Sequence, residues 1–239
     1  MVLNKFSGAF LKNLAVITMI IDHIGAVFFT DVLILRIIGR LSFVLFAFLL
    51  AEGAFFTKNR YKYYLRLFAF ALISFVPYSL VRFDKPFSFE DLNVFFVLSS
   101  SVLMIGLFDL VKDKKGALYF KIAITLFFIV LGTLCNFDYG CFGFLIVSIF
   151  YNLRQKNILI FLYFLLVILA ILPLYRHFIV GEILIQAFVN ALLEGLGIIS
   201  LFFIFNYNGE RGKQLPKPFY YWFFPVHLLI LWTIKTYCL

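Results

Sequence analysis

Charge is what this sequence has least of, and acid least of all. Asp, Glu, Lys and Arg make up 14% of 239 residues, 12 acidic against 21 basic, while 64% of the chain is hydrophobic. Soluble domains carry about a quarter charged residues and about half apolar ones. A water-soluble chain of this length has no core large enough to hide the excess. Cysteine is scarce too. Cys135, Cys141 and Cys238 lack metal-ligand spacing and cannot all pair, which argues against a metal site and against a disulfide framework. Cys135 and Cys141, on either side of a short turn, are read as buried structural thiols. Internal repeats, low-complexity linkers and connections long enough to fold alone are also missing. Residues 1–239 are therefore expected to form a single integral membrane domain.

The apolar runs are continuous, without the alternation of a β-barrel. A helix satisfies each backbone polar group in lipid within its own segment, so the expected fold class is all-α, a polytopic transmembrane helix bundle. At about 20 apolar residues per crossing, spans fall near 10–29, 33–56, 63–82, 94–111, 118–134, 139–153, 157–174, 182–205 and 219–237, about nine in all. The sixth is short and interrupted by Gly140 and Gly143, as in a tilted or re-entrant segment. The first holds Asp22 and His23 and lacks a small-residue cleavage site, so it reads as a span and not as a signal peptide. Pro77, Pro173 and Pro225 fall inside or beside spans, where proline kinks or ends a helix.

The formal net charge of +9 sits in short connections. One alternating set holds Lys5 and Lys12; Lys58, Arg60, Lys62 and Arg66; Lys112, Lys114, Lys115 and Lys121; Arg154 and Lys156; Arg211, Lys213 and Lys217. The opposite set holds little beyond Arg82, Lys85, Arg176 and Lys235. That asymmetry puts the N-terminus in the cytoplasm and the C-terminus outside. It points to membrane lipids and not to nucleic acid as the partner of the basic residues.

Ionisable side chains inside spans cost about 2.5–3.5 kcal/mol on insertion scales and are site candidates by default. Asp22 and His23 lie in the first span, with Arg36 and Arg40 at similar depth in the second. Such a group can hold helices together through an Asp22–Arg40 bridge, or form a reaction centre with His23 as the proton acceptor. Glu182, Gln186, Asn190 and Glu194 recur every four residues in the eighth span, a polar stripe on one helical face that suits a cavity. His227 lies inside the last span and needs a partner. Glu52 ends the second span within reach of Arg60 or Arg66, and Asn93 opens the fourth as a helix cap. The turn Asn206–Lys213 combines glycines with Arg211 and Lys213, a weak pattern for an anion site beside the ordinary reading of a solvated basic turn.

Ile20-Ile21-Asp22-His23-Ile24-Gly25, Arg36-Ile37-Ile38-Gly39-Arg40-Leu41-Ser42-Phe43, Ala51-Glu52-Gly53, Asn93-Val94-Phe95-Phe96, Asn208-Gly209-Glu210-Arg211-Gly212 and Phe224-Pro225-Val226-His227-Leu228 follow one another in this order. Together they resemble the TraX family of bacterial membrane proteins, whose founding member is associated with N-terminal acetylation of conjugative pilin. The resemblance implies a place in the bacterial cytoplasmic (inner) membrane. It also implies transfer of an acetyl group from cytoplasmic acetyl-CoA, used as substrate, to an amine or hydroxyl acceptor, either a pilin-like protein or an envelope glycan or lipid. On that reading His23, oriented by Asp22, takes the acceptor's proton, and Arg40 holds Asp22 or stabilises the oxyanion. Glu194 and His227 line the passage, and Asn208, Gly209, Arg211 and Lys213 hold the CoA phosphates. The alternatives are a proton-coupled transporter or flippase using the same intramembrane charges, and a scaffold in which those charges are structural.

Overall fold

The computed structural model describes residues 5–154 and 156–237, with the side chain of Lys217 left out. Among these residues the regular structure is helical, with two isolated bridges, Phe6 to Tyr207 and Leu92 to Phe137. The helices are α1 (Gly8–Phe28), α2 (Leu33–Phe56), α3 (Arg60–Ile73), α4 (Phe75–Phe83), α5 (Val94–Val111), α6 (Ala117–Leu134), α7 (Gly140–Asn152), α8 (Asn157–Val180), α9 (Leu184–Phe205) and α10 (Lys217–Tyr237). Six of them, α1, α2, α5, α6, α8 and α9, are individually long and apolar enough to cross a membrane, and α3 with α4 gives a seventh when the bent pair is one span. The protein is a multi-pass helical membrane protein.

The chain forms two compact units, residues 1–49 with 153–239, and residues 50–152. In the first unit, Ser7 caps α1 by accepting from the Phe10 amide at 3.3 Å. The helix α8 runs six residues past the expected end at 174. Pro173 has no amide hydrogen and its ring crowds the preceding turn. Two π-helical turns, Val167–Ile171 and Arg176–Val180, widen the helix around it, and Gly181, at φ 84°, ends it. A 3₁₀ turn, Leu196–Ile199, interrupts α9. Glu182 lies before α9 begins, so the expected four-residue polar stripe is not one helical face: Glu182 approaches from the turn, and Gln186 is exposed.

In the second unit the expected third span is broken, because Pro77 cannot continue the ladder of α3. The two pieces meet at 41°. Asn93, fully buried, accepts from the Phe95 amide at 3.1 Å and donates to the Ala71 carbonyl at 2.9 Å. It thereby caps α5 and also satisfies a carbonyl released near the α3 break. At the other end Arg60 forms an ion pair with Asp109, so α3 and α5 run antiparallel. Tyr151 completes that contact, accepting from Arg60 at 3.1 Å and donating to Asp109 at 2.8 Å. Tyr78 and Arg82 both hold Asp91, each at 2.9 Å, and burial pushes the Asp91 carboxyl up against the pull of Arg82. Cys135 and Cys141 are unbridged thiols, Cys141 buried and Cys135 half-buried; Cys238 lies outside the described residues. Large side chains such as Leu110, Leu134 and Phe178 remain more than two-thirds exposed, the lipid-facing surface that such a composition requires.

Candidate functional site

Three of the helices in the first unit approach closely because glycine lies where they cross. A Cβ on Gly39 of α2 would collide with the Asp22 side chain of α1. On Gly197 of α9 it would meet the Arg40 carbonyl oxygen at 2.9 Å and Val44 at 2.8 Å. Small residues at such crossings bring backbones, and the polar groups beside them, together. The outcome is a row of polar side chains running from α8 through α9, α2 and α1 to α10.

At one end of the row are two imidazoles. His23 Nδ1 lies 2.6 Å from His227 Nε2, with the ring planes within 12° of parallel and the centroids 4.9 Å apart. His227 Nδ1 lies 2.8 Å from the Phe223 carbonyl oxygen, and its ring also stacks on Phe223. A carbonyl only accepts, so Nδ1 of His227 carries the hydrogen. In the neutral ring Nε2 then holds a lone pair and accepts from His23 Nδ1–H. The basic nitrogen of His23 is therefore Nε2. This partner is buried: His227 is 7% exposed. Adjacent residues on a helix point about 100° apart, so Asp22 turns away from this pair. It forms an ion pair with Arg36 at 2.8 Å, and the same guanidinium nitrogen donates to the Asp22 carbonyl at 3.1 Å. The described contact that orients His23 is thus with His227, while Asp22 is paired with Arg36.

At the other end Arg176 gathers two carboxylates. It donates to Glu182 through Nε at 3.0 Å and Nη2 at 2.6 Å, and to Glu194 through Nη1 at 2.7 Å. Asn190 donates to Glu182 at 3.1 Å. The Arg176 hydrogen bonds hold the Glu182 carboxyl below the ordinary carboxylate range. Arg40 lies within electrostatic reach of Arg176 and Glu194, and so connects this cluster to the α1–α2 crossing.

A third arrangement lies where α1 and α10 begin. The carbonyls of Glu210 and Arg211 accept from the Gly8 and Ala9 amides, both at 2.8 Å. The Asn208 amide donates to the Phe6 carbonyl at 2.9 Å, and the Asn208 side chain accepts from the Glu210 amide at 2.9 Å. Gly209 and Gly212 adopt φ 79° and 65°, which only glycine takes readily. Lys12 donates to Gln214 at 3.3 Å, and Tyr220 to Asn13 at 2.8 Å. The turn is thus stitched to α1, with Arg211 and Lys213 projecting from it, exposed. The contacts Asn13–Tyr220 and His23–His227 also show that α1 and α10 run parallel.

A family model described as TraX protein matches residues 7–235. The chain belongs to the TraX family. It is also 28% identical over 247 residues to the probable fimbrial assembly protein FimC, serogroup H1, of Dichelobacter nodosus, covering 97% of each chain. No solved structure matches it. In this TraX-family chain Asp22, His23, Arg40, Glu194 and His227 all fall on the one polar row. Asn208, Gly209, Arg211 and Lys213 share a separate turn at the start of α1. Sequence reasoning missed Arg176 as a site residue, since it counted as a loop charge beyond a span ending at 174. Its signal was available in hindsight: an Arg beside the Glu-rich stripe at the far end of a short connection. The His23–His227 contact has no signal in one sequence, because the two residues are 204 positions apart.

Proposed function

We propose that this protein is a membrane-embedded acetyltransferase that uses acetyl-CoA from the cytoplasmic side and modifies an amine or hydroxyl of a pilin-like or other envelope acceptor. The observation that carries this reading is the hydrogen-bond chain from the Phe223 carbonyl through His227 to His23, which leaves Nε2 of His23 as a proton acceptor held in one orientation. In the step proposed, the acceptor's N–H or O–H gives its proton to that nitrogen while its lone pair attacks the thioester carbonyl. The C–S bond then breaks, and the CoA thiolate takes the proton back from the imidazolium. Arg40 supplies positive charge at the neighbouring crossing, where it would stabilise the oxyanion.

The CoA phosphates are assigned to the turn bearing Arg211 and Lys213, whose exposed cations suit phosphate. The α1 amides of Gly8 and Ala9 are already satisfied by the turn, so side chains and not a helix terminus carry this role. From Gly8 to His23 is about 22 Å at 1.5 Å per residue, a span for the extended pantetheine arm to cover. Membership of the TraX family and the similarity to a fimbrial assembly protein support an acceptor connected with pili; the location assigned is the bacterial inner membrane, with the N-terminus in the cytoplasm on the asymmetry of Lys and Arg.

Acetyl-CoA hydrolysis and transfer by detergent-purified protein test the reading. A general base contributes about 10²–10⁴-fold, so His23→Ala should lower turnover by at least about 10²-fold while acetyl-CoA still binds, and Arg211→Ala should weaken binding. Full turnover by folded His23→Ala protein rules the assignment out. Proton-coupled transport is favoured by a different observation, the half-buried Arg176–Glu182–Glu194 cluster beside a span, since such groups also serve as proton relays. Substrate movement that depends on a proton gradient, without acetyl-CoA consumption, would select it.

A further inference from the structure

The second unit has two ends with opposite electrostatics, and they differ in more than the number of charges. At the end formed by the α4–α5 connection, the cations are matched: Arg82 pairs with Asp91 and Lys85 with Glu90. At the opposite end, where α3 begins, α5 ends and α6 begins, Arg60 is consumed by Asp109 and Tyr151. Lys58, Lys62, Lys112, Lys114 and Lys115 surround this group and are all exposed, with one exposed carboxylate, Asp113, among them. Among the described residues, Lys58, Lys62, Lys112 and Lys115 have no ion-pair or hydrogen-bond partner for their ammonium groups, and Lys114 has only the Phe120 ring, 5.8 Å away. The Arg60–Asp109 contact brings the two groups of lysines to one end of an antiparallel helix pair. Exposed aromatic rings flank them, Phe56 at 61%, Tyr61 at 66% and Tyr119 at 78%.

Aromatics of this kind lodge at the lipid headgroup level, and unneutralised lysines beside them attract phosphate-bearing headgroups. We propose that Lys58, Lys62, Lys112, Lys114 and Lys115 form a binding surface for anionic phospholipid headgroups, and that the bound lipid balances the excess of cations at this end of the unit. The match is one of charge and depth: separate point charges on flexible stems suit several headgroups at a boundary, and the rings fix the level at which those headgroups lie. The reading is independent of any acetyl transfer.

The test is quantitative mass spectrometry of phospholipid retained by monodisperse protein, after exchange into detergent containing equal phosphatidylglycerol and phosphatidylcholine. The wild-type chain should retain phosphatidylglycerol selectively. The combined Lys58→Gln, Lys62→Gln, Lys112→Gln, Lys114→Gln and Lys115→Gln variant should lose that selectivity by about tenfold or more, since basic residues near a bilayer surface attract anionic headgroups. The corresponding Lys→Arg set should keep it. Equal retention by wild type and the Gln variant overturns the proposal, as does loss in the Arg set. If retention is unchanged while binding of free CoA or inorganic diphosphate is lost in the Gln variant, the surface takes soluble phosphates and the lipid assignment is wrong. Should the Gln variant not fold, salt decides on the wild type: retention that ignores 1 M salt overturns the proposal, because exposed charge pairs are screened over about 3 Å at that strength.

Discussion

In the proposed reaction His227 matters for the hydrogen it places more than for any step of its own. Its Nδ1 is committed to a backbone carbonyl, so its Nε2 accepts, and this fixes the tautomer of His23. Removing the acceptor frees the His23 ring and mixes its tautomers. We expect His227→Ala to lower the turnover number by at least about tenfold with little change in the KM for acetyl-CoA, and His227→Gln, which retains an acceptor oxygen, to recover part of the loss. Steady-state kinetics on both variants decide; equal rates for wild type and His227→Ala would leave the dyad without a role. Glu182 gives a different kind of test. Its folded carboxyl is held below the ordinary range by Arg176, so its stabilising contribution is present above the ordinary carboxylate pKa of about 4.3. It is lost as pH falls through the lowered value. Wild-type thermal stability in detergent should therefore drop more steeply between about pH 5 and pH 3 than that of Glu182→Gln, as melting curves across that range will report.

At the scale of the helix, interruptions do much of the positioning. Pro173 is accommodated by π turns, which carry α8 on to Val180 and deliver Arg176 to the two glutamates. Pro77 breaks the third span, and the buried amide of Asn93 joins the break to the first turn of α5. Asn93→Ala would leave a buried carbonyl and a helix terminus unsatisfied at once. Its expected cost is about 2 kcal/mol, read as a lower midpoint in thermal or denaturant unfolding, and an unchanged midpoint would mean that water or relaxation satisfies both groups. Gly39 and Gly197 act at crossings between helices, where the absence of a Cβ lets charged residues on neighbouring helices share one level. Both look ordinary in a sequence, because glycine is frequent in membrane helices.

Over the whole molecule, the parallel packing of α1 and α10 gives those two helices the same sense. In the orientation proposed from the Lys and Arg asymmetry, with α1 entering from the cytoplasm, a reporter fused after residue 239 should report from outside: alkaline phosphatase active, a cytoplasmic fluorescent reporter dark. The reverse result would mean that α10 does not cross, or that α1 enters from the other face.

Composition and the placing of the apolar runs were enough to specify helices and membrane. Continuous apolar runs force each segment to satisfy its own backbone, and the expected segments are helical, the third in two pieces, with six or seven of the helices long and apolar enough to cross. The intramembrane charges were legible for the same reason, since Asp22, His23, Glu194 and His227 stand out against hydrocarbon. Who meets whom was not. The resemblance implied Asp22 as the group that orients His23; in the structure Asp22 pairs with Arg36 on α2, and His23 meets His227 on α10. Glu182 and Glu194 do not share a helical face, because the helix begins only at Leu184, and Arg176 instead unites them. Pairings of this kind depend on how closely helices approach at Gly39 and Gly197, and that distance is set only when the whole first unit has packed.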